Sequence, residues 1–178
     1  MNKAKKLEHG GIDTADIRAA AKNFEDGAVT AGYQANSKHV VNMLNGALAT
    51  ELVCILRYKR HYYTVTGFHN GSVKAEFLQH AKDEQDHADL LASRIVQLNG
   101  TPDFNPSSLS ERSHAEYDDS MDVQVMIKSN LIAERVAIES YRQMIEVIGE
   151  SDPTTRLMLV GIMAAEEEHA DDMRDLLA

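Results

Sequence analysis

Apolar residues recur at the spacing of an α-helix along four long segments of the chain. In the first segment, Leu44, Leu48, Ile55 and Tyr62 fall on one helical face. Gly100 and Gly149 end two of the segments, and Asp152 with Pro153 is a typical start for the last. The four predicted helices span residues 37–66, 72–99, 121–148 and 153–178.

The connections between these helices predict how they are arranged. The first pair and the last pair are each joined by a short turn, whereas residues 101–119 form a longer loop between the pairs. A short helix is possible over 109–115, inside that loop. The pattern therefore predicts an all-α protein, a four-helix bundle with one long crossover.

Residues 1–36 differ from the rest and are predicted to be an N-terminal extension preceding the bundle of residues 37–178. A weak helical pattern runs from 13 to 25, after a short basic arm. The arm can be interpreted as a contact for DNA or as a solvated tail, and the tail is favoured because termini are often poorly ordered. Its basic residues are Lys3, Lys5 and Lys6.

Two Glu-x-x-His motifs stand inside the second and fourth predicted helices. Residues three apart share a helical face, so each motif directs a carboxylate and an imidazole to one point. Each is preceded by a glutamate at a similar distance, 33 residues before Glu84 (84 − 51) and 32 before Glu166 (166 − 134). The motifs with their preceding glutamates are Glu51 with Glu84 and His87, and Glu134 with Glu166 and His169.

The six side chains are expected to converge on the centre of the bundle. Glu51 and Glu134 lie among apolar residues of their own helices, where an unpaired carboxylate is costly unless it binds a metal. Four carboxylates with two imidazoles suit iron or manganese. The alternative, that these are solvated helix faces with chance spacing, is disfavoured by the matching second copy.

These motifs resemble the ferritin-like di-iron carboxylate proteins, in particular bacterioferritin and Dps-like miniferritins with a bacterioferritin-type site. The resemblance covers about residues 40–178 and is carried by residues 44–52, 81–89, 131–135 and 165–170. It implies two Fe ions per subunit, with Mn or Zn as possible substitutes. One ion would be held by Glu51 and His87, the other by Glu134 and His169, with Glu84 and Glu166 bridging and Tyr58 beside the site.

The resemblance implies a ferroxidase that oxidises Fe(II) to Fe(III) with O2 or H2O2 and stores the product in a homo-oligomeric cage. Bacterioferritins carry a haem-ligating methionine where this chain has Gln85, so no haem is expected there. They also have a fifth helix, whereas this sequence stops nine residues after His169, so a 12-mer is favoured over a 24-mer. The single cysteine, Cys54, excludes the cysteine pair of some Dps-like relatives.

Three further residues are candidates for supporting the site. Tyr58 and Tyr141 each follow a candidate glutamate by seven residues, two helical turns, and either contact the site or are ordinary core residues. Asp83 could hydrogen-bond a ligating imidazole. His61 is interpreted as a helix-face residue rather than an extra iron site, and His80 shows no ligand pattern.

Composition narrows the remaining alternatives. The net charge of −10 suits a protein that handles cations and argues against a general nucleic-acid-binding surface. The longest apolar run, 157–165, is too short to cross a bilayer, so a soluble cytoplasmic protein is expected. Two rivals remain: a di-metal (Fe or Mn) peroxidase, catalase or oxidase on the same bundle, and a DNA-protecting Dps-like protein.

Overall fold

The computed structural model describes residues 11–67 and 70–178, and this part of the chain is helical throughout, apart from its connections. The predicted all-α fold is confirmed: four long helices form a bundle with one long crossover. The predicted lysine arm lies outside the described residues. The helices are α1 (Thr14–Ala20), α2 (Ser37–Thr64), α3 (Gly71–Gln97), α4 (Leu109–Arg112), α5 (Val123–Ile148) and α6 (Pro153–Asp175), with a 3-10 turn at Pro106–Ser108 before α4.

Side-chain caps fix where three of the long helices begin. The carboxylates of Asp122 and Asp152 accept hydrogen bonds from the third backbone N–H that follows each, at 3.0 and 2.9 Å, and Asn36 caps α2 in the same way. The predicted start of α3 at residue 72 was wrong. That helix begins one residue earlier, after Asn70, whose side chain bonds the carbonyl of Thr66 instead.

The bundle is built from two helical hairpins. Helix α2 packs along α3 and α5 packs along α6, while α2 against α5 and α3 against α6 join the hairpins. The long crossover between α3 and α5 carries the short helix α4, which packs on α2. Arg112 of α4 donates to the backbone carbonyls of Asn45 and Asp103, so the crossover is held against the first hairpin.

The core consists of two apolar clusters separated by a polar layer. One cluster is centred on Leu44, Leu91 and Leu159, and the other on Phe77 and Met126. Every one of these side chains is fully buried. Each long helix contributes one fully buried glutamate between its apolar residues, and these four glutamates form the polar layer.

Helix α1 is shorter than the predicted 13–25 segment and buries no residue. The chain after it returns to the bundle, where Tyr33 donates a hydrogen bond of 2.7 Å to Asp152 at the start of α6.

Helix α2 is the one described helix that is long and apolar enough to cross a membrane by length and composition. However, 56% of its apolar window is buried inside the bundle, as in the core helix of a soluble protein.

Candidate metal centre

The polar layer brings together all six side chains that the sequence predicts as ligands. Each long helix contributes one glutamate, and α3 and α6 each add the histidine one turn later. The four glutamates are at most 1% exposed, and the histidines 7% and 5%. The residues are Glu51 of α2, Glu84 and His87 of α3, Glu134 of α5, and Glu166 and His169 of α6.

Two overlapping sets of potential ligand atoms form within the layer. In each set, one oxygen or nitrogen per residue lies within 4.8 Å of all the others. Glu84 and Glu166 belong to both sets, which is the arrangement expected of bridging carboxylates. The sets are Glu51, Glu84, His87 and Glu166, and Glu84, Glu134, Glu166 and His169.

The two imidazoles face the shared carboxylates from opposite sides. His87 Nδ1 lies 2.9 Å from Glu166 Oε1 and 3.2 Å from Glu84 Oε2. His169 Nδ1 lies 3.5 Å from Glu166 Oε2 and 3.9 Å from both Glu84 Oε1 and Glu134 Oε2. The donor set is therefore symmetric, with one imidazole and one unshared glutamate on each side.

Protons take the place of cations in the metal-free layer. Burial, and the charge of Glu166, raise the pKa of Glu84 and of Glu134 well above 4.5. Burial opposes the ionised form of Glu166 too, but the adjacent imidazoles of His169 and His87 outweigh it and lower its pKa. Burial likewise disfavours the charged form of His87, yet the nearby carboxylates of Glu166, Glu51 and Glu84 raise its pKa. The layer thus holds one ionised pair, Glu166 with His87. The carboxyl groups of Glu84 and Glu134 are costly to ionise.

Several buried polar atoms in the layer have no hydrogen-bond partner. They are Glu84 Oε1, Glu134 Oε2, both Glu166 oxygens and His169 Nδ1. Buried polar groups are nearly always paired, so a converging set of unpaired acceptors calls for cations. Carboxylate oxygens with imidazole nitrogens fit divalent iron or manganese.

Two tyrosines hold the outer glutamates. Tyr58 donates its hydroxyl hydrogen to Glu134, and Tyr141 donates to Glu51. Burial, with the adjacent carboxylates, raises both phenol pKa values, so both stay protonated donors. Asp83, predicted to support an imidazole, lies 3.5 Å from His169 Nε2.

His80 is a residue that the sequence analysis missed. It is 1% exposed, its ring stacks on that of His169 with centroids 4.0 Å apart, and its Nδ1 is 3.1 Å from the Tyr58 hydroxyl. Burial, and then the neighbouring His169, lower its pKa to about 3, so the ring is neutral. The available signal was its position four residues before Glu84, on the same helical face.

His61 is the residue that the sequence analysis interpreted as an ordinary helix-face histidine rather than an extra iron site. It is fully buried, 3.1 Å from the amide of Asn130 and 3.2 Å from Asp118, away from the six-residue cluster. Arg57 donates to the same asparagine at 2.8 Å. This network ties α2 to α5 and to the crossover.

A surface pocket of about 390 Å³ between α3 and α6 opens onto both candidate imidazoles, His87 and His169. Its wall is acidic, with Glu76, Asp83, Asp86, Glu168 and Asp172 among the lining residues. Clefts lined by one sign of charge concentrate ions of the opposite sign. The pocket is therefore a suitable path for cations to the polar layer.

A helical bundle with inward carboxylates and two Glu-x-x-His motifs defines a class of dinuclear metal proteins. The chain matches the ferritin family, by its ferritin-like domain, over residues 41–178. It therefore belongs to the ferritin-like family.

Relatives of the chain in this family are named either as a DNA-binding protein or as bacterioferritins. The chain is 31% identical over 140 residues to the nutrient stress-induced DNA-binding protein of Synechococcus sp., covering 76% of this chain and 78% of that protein. It is 30% identical over 131 residues to the bacterioferritin of Desulfovibrio desulfuricans, covering 73% and 69%. Among solved structures, a dodecameric thioferritin, the bacterioferritin-related protein of Bacteroides fragilis, superposes with a TM-score of 0.77 at 32% identity, covering 81% of this chain and 87% of that one.

Proposed function

We propose that the chain is a ferroxidase and iron-storage protein that oxidises Fe(II) to Fe(III) at a dinuclear site within one subunit. Membership of the ferritin-like family supports an iron-storage or ferroxidase-type function. The observation that carries the proposal is the set of four buried glutamates and two histidines whose free acceptor atoms converge. In this assignment Glu51 and His87 hold one ion, Glu134 and His169 the other, and Glu84 and Glu166 bridge both.

The substrate is Fe(II), and the iron pair supplies two electrons to the oxidant. With hydrogen peroxide the balance is two Fe(II), one H2O2 and two protons to two Fe(III) and two waters; with O2 the product is one H2O2. The side chains bind both ions and exclude bulk water. The hydroxyls of Tyr58 and Tyr141 keep the outer carboxylates in place. Binding of Fe(II) displaces the protons of Glu84 and Glu134, since ligands must be deprotonated.

The test is stopped-flow measurement of Fe(III) formation with a Glu84→Gln, Glu166→Gln variant. Both bridging carboxylates become neutral amides of the same shape, so the fold is retained while the charge that holds two cations is lost. We expect the rate of Fe(III) formation to fall at least about 100-fold. Mutation of a single residue that supports a metal ligand already lowers activity or metal affinity about 10- to 100-fold.

The matched control is Asp89→Asn, Glu167→Gln, which removes two exposed carboxylates from the same helices. This control should oxidise iron at the parent rate. A parent-like rate in the Glu84→Gln, Glu166→Gln variant would overturn the proposal. Measuring peroxide disproportionation, with and without added Mn(II), separates a ferroxidase from the rival di-metal peroxidase or catalase.

We further propose a hollow assembly of twelve subunits. Large apolar side chains remain exposed on the outer faces of the bundle, including Leu56, Ile132, Val147 and Leu157, each at least half exposed. The Bacteroides fragilis relative is named a dodecamer. Native mass spectrometry gives the subunit number, and a mass of 24 subunits would contradict this proposal.

No haem is proposed at Gln85, because its amide is a poor iron ligand and donates instead to Asp89 at 3.1 Å. An absorption spectrum of the purified protein checks this. DNA binding is a weaker candidate, suggested by the name of the Synechococcus relative. The net charge of −10 opposes it, and a gel shift at physiological salt decides.

A further inference from the structure

A second group of potential ligands lies on the wall of the surface pocket, outside the six-residue centre. His80 Nε2 is 3.4 Å from Asp172 Oδ2 and 3.8 Å from Glu76 Oε1. Glu76 and His80 are one turn apart on α3, and Asp172 comes from α6. Their three ligand atoms lie within 4.8 Å of one another. The two carboxylates are partly exposed, so the group is open to solvent.

The hydrogen bonds of His80 determine which of its nitrogens faces this group. Tyr58 gives its only hydrogen to Glu134, so its oxygen can only accept from His80 Nδ1. The hydrogen bond to Tyr58 therefore selects the tautomer with its hydrogen on Nδ1, in which Nε2 presents a lone pair. That lone pair faces two carboxylates, so three acceptors meet with no hydrogen between them.

We propose that Glu76, His80 and Asp172 form a third, mononuclear binding site for a divalent first-row transition-metal ion. A cation at this point would satisfy all three acceptors at once. Carboxylate with imidazole suits Fe(II), Mn(II), Co(II) and Zn(II), whereas Ca(II) and Mg(II) prefer oxygen ligands alone.

The separations fit one ion. At a bond length of about 2.1 Å, two ligands of one metal are about 3.0 to 4.2 Å apart, for angles from 90° to 180°. Both distances from His80 Nε2, 3.4 and 3.8 Å, fall in this range. The metal-bound imidazole would keep its second N–H on Tyr58, as metal-ligating histidines require a partner on the other nitrogen.

The third site uses none of the six residues of the dinuclear centre, so it goes beyond the proposed function and can be tested without it. Its position in the pocket that opens onto His87 and His169 makes it a binding point on the path of incoming Fe(II). The stacked rings of His80 and His169 place the two sites side by side.

The first experiment counts bound Co(II) and Zn(II) per subunit by equilibrium dialysis. We expect three ions in the parent protein and one in the Glu84→Gln, Glu166→Gln variant. Adding Glu76→Gln, Asp172→Asn should remove one ion per subunit from either background. The control, Asp86→Asn, Glu168→Gln, removes the same charge from the same pocket and should remove none. An unchanged count with Glu76→Gln, Asp172→Asn, or an equal loss in the control, would overturn the third site.

The second experiment uses the unchanged protein, so it does not depend on any variant folding. Anomalous diffraction at the zinc edge from Zn(II)-loaded crystals should give a peak bounded by Glu76, His80 and Asp172. This peak is separate from any at the dinuclear centre. Peaks at the dinuclear centre alone would reject the third site and leave the proposed function intact. A peak at the third site alone would reject the dinuclear centre and leave the third site intact.

Discussion

Tyr58 of the first hairpin donates its hydroxyl hydrogen to Glu134 of the second. Tyr141 of the second hairpin donates in return to Glu51 of the first. Each tyrosine is therefore bonded to the glutamate of the opposite hairpin rather than to the one seven residues before it. The two bonds brace α2 against α5 through the outer carboxylates of the candidate metal centre.

We predict that Tyr58→Phe and Tyr141→Phe each destabilise the metal-free protein. Either change leaves a buried carboxyl group without its hydrogen-bond donor, which costs about 1–3 kcal/mol. Urea unfolding in the presence of a chelator measures the free-energy change. Tyr63→Phe is the control, because Tyr63 is on the same helix as Tyr58 and is 76% exposed. The stability of this variant should stay within about 0.5 kcal/mol of the parent.

A second prediction concerns the pH dependence of stability without metal. The folded pKa values of Glu84 and Glu134 are raised, so their contribution is fully present below 4.5 and is lost as pH rises through the folded values. The raised pKa of His87 adds a loss above 6.5. The lowered pKa of Glu166 contributes stability above 4.5, and acidification below that value removes it. Metal-free protein should therefore lose stability from about pH 5 to pH 8 through the first three groups.

Thermal melts across that pH range, with chelator, test this expectation. A Glu84→Gln, Glu134→Gln variant cannot ionise two of the groups, so its stability should fall less steeply than that of the parent. Zn(II) should reverse the trend in the parent, since metal competes with protons for the same atoms and binds better at higher pH. Parallel pH profiles for the parent and the variant would contradict the assigned ionisation.

The convergence of the six candidate ligands could be predicted from sequence because its geometry is local. Glu84 and His87 share a helical face whatever surrounds them, and the same holds for Glu166 and His169. Helical rise then puts each Glu-x-x-His motif level with the glutamate of its partner helix. The four long helical patterns and the one long connection predicted the bundle in the same way.

The contacts between hairpins could not be predicted from spacing. The Tyr58–Glu134 bond joins residues 76 apart, and its formation depends on how α2 is rotated against α5. His80 was missed because its partners, Tyr58 and Asp172, are 22 and 92 residues away. Side-chain packing sets such rotations, and helical periodicity within one segment carries no information about them.

The buried pair of Arg94 and Asp152 gives a third prediction. The guanidinium of Arg94 lies 2.9 Å from the Asp152 carboxylate, which also caps α6 and accepts from Tyr33. Arg94→Met leaves a buried carboxylate without its cation, and breaking such a pair costs about 3–5 kcal/mol. The control is Arg142→Met, which breaks an exposed pair with Glu139 and should cost at most about 1 kcal/mol. Equal urea midpoints for the two variants would contradict the structural role of the buried pair.

The last prediction tests the close approach of α2 to the end of α3. A Cβ atom at Gly100 would lie 2.6 Å from a methyl group of Val41, so Gly100→Ala requires the Val41 side chain or the hairpin to shift. Such overpacking costs about 1–3 kcal/mol, and adding Val41→Ala should restore part of it.

Gly161→Ala is the opposite case, because a Cβ there meets no atom within 4 Å inside α6. It should stabilise the protein by about 0.5–1 kcal/mol, as alanine favours a helix interior over glycine. Urea unfolding of the three variants distinguishes steric contact from helix propensity, because only the first effect depends on Val41.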